Sequence, residues 1–170
     1  MTHLYFVRHA LSVMNKKGKF SGRTETPLAP EGITQAEATA QEAKSLKIDL
    51  IVSSPMERCR ETAAIIAEQI GYPVADIRIE ELFMERAFGV LEGTEYMQGL
   101  DVEGHEGVES GDEILARAAK GVAYLQALPY DTVLLVSHGA IGRAIRHVLH
   151  PEIPYHNSER FENAQIIQLL

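Results

Sequence analysis

The feature that most constrains the fold is the alternation of short apolar runs with longer segments of helical periodicity. The predicted strands cover residues 3–8, 48–53, 76–81, 132–137 and 164–170. The predicted helices cover residues 30–46, 55–70, 112–127 and 140–149. Strands separated by helices indicate a mostly parallel sheet that is covered on both faces. The sequence therefore predicts an α/β fold, specifically a three-layer α/β/α sandwich.

Capping residues support the predicted helix starts. Ser110 and Glu113 have the spacing of a capping box, and Pro30 suits a first helical position. Ser54 is predicted as a second N-cap, followed by Pro55 and by Glu57 as its capping-box partner. Residues 86–109 are polar, acidic and rich in glycine, which is typical of an excursion over the surface.

Composition narrows the class of protein. The 170 residues carry a net charge of −8, which argues against a general binder of nucleic acid or of anionic membranes. This length suits one domain spanning residues 1–170. Cys59 is the single cysteine, so no disulfide can form within the chain, and no apolar run approaches the ~20 residues of a membrane span. We expect a cytoplasmic protein.

Three apolar strands end in related ways, in the sequences FVRHA, IVSSP and LVSHG. Ligands of parallel α/β sheets bind outside the carboxyl ends of the strands. If these ends lie together, Arg8, His9, Arg58 and His138 converge near helix N-termini. Guanidinium forks and free backbone N–H groups suit a phosphoryl group.

Each of these residues also has an ordinary structural interpretation. A histidine at a strand end is often a cap or a satisfied polar group. Arg8 has Glu85 and Asp49 as candidate ion-pair partners, and Arg58 has Glu57 and Glu61. The joint pattern at three strand ends favours a phosphate site over these separate explanations.

The same residues carry a resemblance to the histidine phosphatase superfamily, the phosphoglycerate mutase-like group. VRHALSVMN resembles the family's opening Arg-His-Gly motif, with Arg8, His9 and Asn15 matching and Ala10 in place of the commoner glycine. Blocks around SGRTETPLAPEG, SSPMERCRETA, LFMERAFGVLEG, ESGDEILARA and VSHGA follow in family order over nearly the whole chain. The resemblance implies a phosphoglycerate mutase-like fold.

The resemblance also implies roles for individual residues. His9 corresponds to the nucleophile that forms a phosphohistidine, and Glu85 to the general acid. The expected phosphate-binding residues are Arg8, Asn15, Ser21, Gly22, Arg58, His138 and Gly139. No cofactor is implied, and no metal is required because the arginines supply positive charge.

The leading hypothesis is therefore a phosphomonoesterase acting on a small phosphorylated metabolite. A bisphosphoglycerate-dependent mutase is the first alternative. The short chain and the absence of a basic cluster in 92–113 argue against it. A non-catalytic phospholigand-binding module and a metal site built from the seven histidines are weaker alternatives. The sequence does not indicate an oligomeric state.

Overall fold

Five strands form the central sheet of the computed structural model, which describes residues 1–97, 99–156 and 159–170. The strands are β1 (His3–Arg8), β2 (Leu50–Ser53), β3 (Arg78–Ile79), β4 (Thr132–Ser137) and β5 (Ile166–Gln168). Their order across the sheet is β3-β2-β4-β1-β5. The first four strands are parallel, and β5 runs antiparallel to β1 at one edge.

Helices cover both faces of this sheet. They are α1 (Val13–Lys16), α2 (Pro30–Ala43), α3 (Glu57–Ile70), α4 (Gly111–Ala127) and α5 (Gly139–Leu149). Side chains alternate along β4: Val133 and Leu135 join the apolar cluster under α4 and α5, whereas Leu134 and Val136 join the cluster under α2 and α3. The three-layer α/β/α prediction is confirmed.

One of the predicted helix caps is correct and another is wrong. The capping box of Ser110 and Glu113 is present at the start of α4. The predicted Ser54 cap is wrong, because α3 begins at Glu57 and its N-cap, Met56, makes no side-chain cap bond. The chain at Ser54 stays beside β4, with its N–H donating to the Val136 carbonyl at 3.1 Å.

Two further segments differ from the sequence-based expectation. The predicted strand 76–81 shrinks to Arg78–Ile79 because 3₁₀ turns at Val74–Asp76 and Glu81–Phe83 enclose it. The short helix α1 was not predicted. Ser12 caps it in a capping box with Asn15.

The sheet order places the three informative strand ends side by side. Arg8 pairs with Ser137 across β1 and β4, and Ser53 pairs with Val136 across β2 and β4. The His9 N–H then donates to the Ser137 carbonyl at 2.8 Å. In the described part of the chain, no helix combines the length and apolar character that a membrane crossing demands.

Candidate active site

His9 follows β1 directly, and its imidazole is held in one tautomer. Its Nδ1 lies 2.8 Å from the Ala10 carbonyl oxygen, which can only accept, so Nδ1 carries the proton. Arg58 Nε–H, which can only donate, lies 3.3 Å from Nε2. The Nε2 lone pair is therefore free of a proton, as a nitrogen nucleophile requires.

Electrostatics keep this ring neutral. The His9 side chain is buried, and burial lowers its pKa well below the usual value of 6.5. The positive charges of Arg58 and Arg8 lower the pKa further, and only the hydrogen bond to Ala10 opposes them. His9 is thus unprotonated at neutral pH.

His138 lies behind His9 and does not line the cleft. The two rings meet edge to face with centroids 5.2 Å apart. The Nε2 of His138 lies 2.8 Å from the Ser54 hydroxyl and 3.4 Å from the Cys59 sulfur. Burial lowers the pKa of His138 well below its usual value, and the nearby Arg58 acts in the same direction. Although His138 is the N-cap residue of α5, its side chain makes no capping bond.

Arg8 and Arg58 bring two guanidinium groups to His9 without carboxylate partners. Arg58 is fully buried and donates to the backbone carbonyls of Thr24 and Gly22 at 3.1 and 2.6 Å. Arg8 donates from one terminal nitrogen to the Phe161 carbonyl at 2.8 Å, while its buried Nε has no partner among the described residues.

The structural alternatives for these arginines do not hold. Within the described ranges, no carboxylate lies within 4.0 Å of either guanidinium. Asp49 instead accepts from the Thr132 N–H, and Glu61 accepts from the Leu28 N–H. The positive charge at the strand ends is therefore left for a ligand.

Glu85 is the acidic residue of the site, and three backbone N–H groups donate to its carboxylate. Ala140 and Ile141, in the first turn of α5, each donate at 3.2 Å, and Arg86 donates its backbone N–H at 2.8 Å. The guanidinium of the neighbouring Arg86 pairs with Glu103 and not with Glu85.

Arg117, on α4, fixes the backbone that carries Glu85. Its guanidinium donates to the carbonyls of Leu82 and Met84 at 2.8 and 2.7 Å. The same guanidinium makes a bidentate ion pair with Glu109. Five donors in a rigid fork can satisfy these acceptors together, so Arg117 positions Glu85 without touching the cleft.

The loop 21–24 forms the floor beside Arg58. Gly22 has a φ of +49°, and a Cβ there would lie 2.2 Å from Glu92 Oε1. The Glu92 carboxylate accepts from the N–H groups of Arg23 and Phe88, both at 3.0 Å, and from the Thr24 hydroxyl at 2.6 Å. Glu92 therefore orders the loop.

Ser21 and Ala10 show how closely the site is built. The buried Ser21 hydroxyl has no hydrogen-bond partner among the described residues, which leaves it available to a ligand. Ala10 is fully buried and packs with Leu28 and Ala36. Its φ is not among the positive values, so the alanine methyl group fits there without backbone strain.

The site opens into a cleft of about 320 Å³. It brings together eight of the nine predicted site residues, which are Arg8, His9, Asn15, Ser21, Gly22, Arg58, Glu85 and Gly139. His138 is the ninth and sits behind the wall. Among the described residues, no group of three or more histidine, cysteine, aspartate or glutamate side chains is arranged to hold a metal ion.

Sequence reasoning missed several residues of the same cleft. They are Lys19, Phe20, Phe88, Tyr96, Arg143, Arg160 and Asn163. Residues 92–113 contain no lysine or arginine, as stated above, but Lys19, Arg143 and Arg160 bring positive charge to the cleft from other segments. The composition of 92–113 is therefore no argument against a second anionic group. Arg143 could have been found from its place one turn after Gly139, because long helical side chains point back toward the N-terminus. No local signal marks Arg160.

The chain is similar to known proteins in sequence and in fold. Residues 4–169 match the profile of the histidine phosphatase superfamily (branch 1). The "Uncharacterized phosphatase PhoE" of Bacillus subtilis is 33% identical over 168 residues, covering 96% of this chain and 86% of that relative. The "Probable phosphoglycerate mutase GpmB" of Salmonella typhi is 34% identical over 166 residues, covering 88% and 75%.

A solved structure is similar over almost the whole chain. It is the phosphoserine phosphatase of Entamoeba histolytica in complex with 3-phosphoglyceric acid, with 29% identity and a TM-score of 0.79. The match covers 99% of this chain and 90% of that one.

Proposed function

The chain belongs to the histidine phosphatase superfamily, and from that premise we propose that it hydrolyses small phosphate monoesters through a phosphohistidine on His9. The observation that carries the proposal is the state of His9. Its Nε2 is unprotonated and lies beside two guanidinium groups that have no carboxylate partner. The similar phosphatases of Bacillus subtilis and Entamoeba histolytica support the same reaction class.

In the first step, the Nε2 lone pair of His9 attacks phosphorus, and the bond from phosphorus to the ester oxygen breaks. Arg58 must exchange its hydrogen bond to Nε2 for one to a phosphate oxygen. A protonated Glu85 delivers its proton to the departing alkoxide, so an alcohol leaves. The products are the alcohol, a phosphohistidine and the Glu85 carboxylate.

In the second step, water attacks the phosphohistidine. Glu85 takes a proton from that water, the N–P bond breaks, and phosphate leaves with His9 neutral again. Arg8 and Arg58 stabilise the charge on the equatorial oxygens throughout, which is the main device of phosphoryl transfer. The Ser21 hydroxyl, unpartnered and buried, is a further donor to these oxygens.

The remaining residues of the proposed phosphate site take no direct part in the bond changes. They are Asn15, Gly22, Gly139 and His138. Asn15 and Gly139 line the cleft, and the Gly22 carbonyl orients Arg58. His138 keeps a neutral ring against His9, which avoids a third positive charge behind the nucleophile. We expect this reaction to take place in the cytoplasm, because Cys59 is free and buried and the chain therefore depends on no disulfide.

A mutase is the second candidate, because the cleft holds cations beyond Arg8 and Arg58 and the Salmonella typhi relative bears a mutase name. The two reactions differ in the fate of the phosphohistidine. A phosphatase transfers the phosphoryl group to water, whereas a mutase returns it to phosphoglycerate. Release of inorganic phosphate, measured against 3- to 2-phosphoglycerate conversion in enzyme primed with bisphosphoglycerate, separates them.

The decisive experiment is His9→Ala with 4-nitrophenyl phosphate as substrate. We expect turnover to disappear, and rapid quenching of the wild type to trap an acid-labile phosphoenzyme that the variant cannot form. Circular dichroism checks that the variant remains folded. Activity retained in folded His9→Ala would remove His9 as the nucleophile.

A further inference from the structure

The cleft carries three cations beside the proposed phosphate site, namely Lys19, Arg143 and Arg160. The acidic side chain lining the same described surface is Glu85, which the backbone of α5 already holds. In the ranges that the structure describes, no carboxylate lies within 4.0 Å of Arg143 or of Arg160. An acidic protein thus gathers several cations without direct ion-pair partners among the described residues in one small cleft.

Arg143 approaches the reaction centre closely. A Cβ built on Gly139 would lie 3.9 Å from a terminal nitrogen of Arg143 and 3.6 Å from Nε of Arg8, so the two guanidiniums flank the start of α5. Burial lowers the pKa of Arg8, the charges of Glu85 and Glu162 raise it, and the charges of Arg143 and Arg160 lower it. Like charges held together in this way repel one another until an anion shares the site.

Arg160 is held at the cleft by an aromatic wall. Its guanidinium carbon lies 4.8 Å from the centre of the Tyr96 ring. Tyr96 packs on Phe20 at 5.0 Å between ring centres, and Phe20 packs on Phe88 at 5.1 Å. Stacking on an aromatic face leaves the N–H edges of a guanidinium able to bind an anion.

We propose that Arg143 and Arg160, with Lys19 at the rim, form a second anion subsite, so that the preferred substrates are short phosphate esters bearing another anionic group. This inference rests on the proposed function, because it assumes that the ester phosphate occupies the site of Arg8 and Arg58. A guanidinium fork matches a carboxylate or a phosphate alike. The volume of about 320 Å³ is near the lower end for ligand pockets, which favours a compact substrate of a few carbons.

A three-carbon series tests the subsite with one class of leaving group, a primary alkoxide. Propyl phosphate has no second anion, 3-phosphonooxypropanoate adds a carboxylate, and propane-1,3-diol bisphosphate adds a phosphate. We expect wild-type kcat/KM to be at least about tenfold higher for one of the two substrates with a second anionic group than for propyl phosphate. Comparing these two arms identifies which anion the subsite takes.

Substitution of each arginine then tests whether it causes the substrate preference. In Arg143→Met and in Arg160→Met, we expect kcat/KM for the favoured substrate to fall about tenfold to a hundredfold, since each removes a charge-assisted hydrogen bond. For propyl phosphate we expect a clearly smaller loss, so that the ratio of the two kcat/KM values falls. Arg60→Met is the matched control, because Arg60 is exposed on α3 and does not line the cleft. It removes the same charge and should leave the preference intact.

Two results would overturn the inference. One is a wild type that hydrolyses the three substrates equally well. The other is a loss in the arginine variants that is the same for propyl phosphate as for the favoured substrate, which indicates general disturbance of the site.

Failure of the proposed function would show differently, as no hydrolysis of any ester. The subsite is then tested by calorimetric binding to the His9→Asn variant. Tighter binding of 3-phosphonooxypropanoate or the bisphosphate than of propyl phosphate, abolished by adding Arg143→Met, supports the subsite. Equal binding of all three refutes it.

Discussion

Acid should destabilise this protein through two buried neutral histidines, His9 and His138. In the folded state the pKa of each ring lies well below the usual 6.5, because burial and neighbouring arginines disfavour the charged form. The unfolded chain takes up a proton on each ring as the pH falls through 6.5, and the folded chain does not. The unfolded state therefore gains protons, and stability falls with decreasing pH.

The magnitude follows from the number of protons. Each histidine that stays neutral in the fold costs about 1.4 kcal/mol of unfolding free energy per pH unit below 6.5. Between pH 7.5 and pH 5.5 the two rings together account for about 2.7 kcal/mol, provided that both folded pKa values stay below this window. That is a large part of the ~5–15 kcal/mol by which proteins of this kind are stable.

Urea denaturation at pH 7.5 and pH 5.5, at constant ionic strength, measures the loss. We expect His9→Asn and His138→Asn each to remove about half of it, and the double variant to remove nearly all of it. Asparagine keeps a side-chain N–H for the bonds that the rings make. His3→Asn, at an exposed position of β1, reports what the substitution does by itself. If the double variant loses as much stability as the wild type between these pH values, the buried rings are not the cause.

Two further predictions concern the acid and the loop. Glu85→Gln should slow hydrolysis of alkyl phosphates by roughly 10²–10⁴-fold but affect 4-nitrophenyl phosphate far less, because an aryl oxide leaves without a proton; equal losses in the two steady-state assays would argue against Glu85 as the acid. Gly22→Ala should cost about 1–2 kcal/mol in urea denaturation and lower kcat/KM about tenfold or more. A Cβ at a φ of +49° displaces Glu92 and, through the Gly22 carbonyl, Arg58, so an unchanged kcat/KM would show that the loop does not orient that arginine.

Local signals were sufficient where a segment's structure depends on its own residues. The strands β1 and β4 lie where the apolar runs placed them, and α4 begins at the predicted capping box. In a sheet of parallel strands, the carboxyl ends of the strands lie along the same edge. For that reason the convergence of Arg8, His9 and Arg58 could be predicted without coordinates. That one domain spans residues 1–170 stays a prediction.

Predictions from the local sequence were wrong in two segments, at Ser54 and in the third strand. Ser54 has a capping residue's chemistry, yet its hydroxyl lies against His138, and its backbone remains beside β4. The third predicted strand lost most of its length to flanking 3₁₀ turns. At Ser54 a tertiary contact outweighed a local preference, which a single stretch of sequence cannot reveal.

The sequence by itself determined the layered α/β fold and a cationic site at the strand ends that contains a histidine. Both follow from residues that are close together in the sequence, namely the apolar periodicity and the residue types that follow each strand. Only the tertiary structure decided the tautomer of His9, since that depends on Arg58 from another element. It also decided which cations share the cleft. Arg143 and Arg160 lie more than 130 residues from His9 in the chain, and only the packing of α5 and the segment before β5 against β1 brings them to one wall.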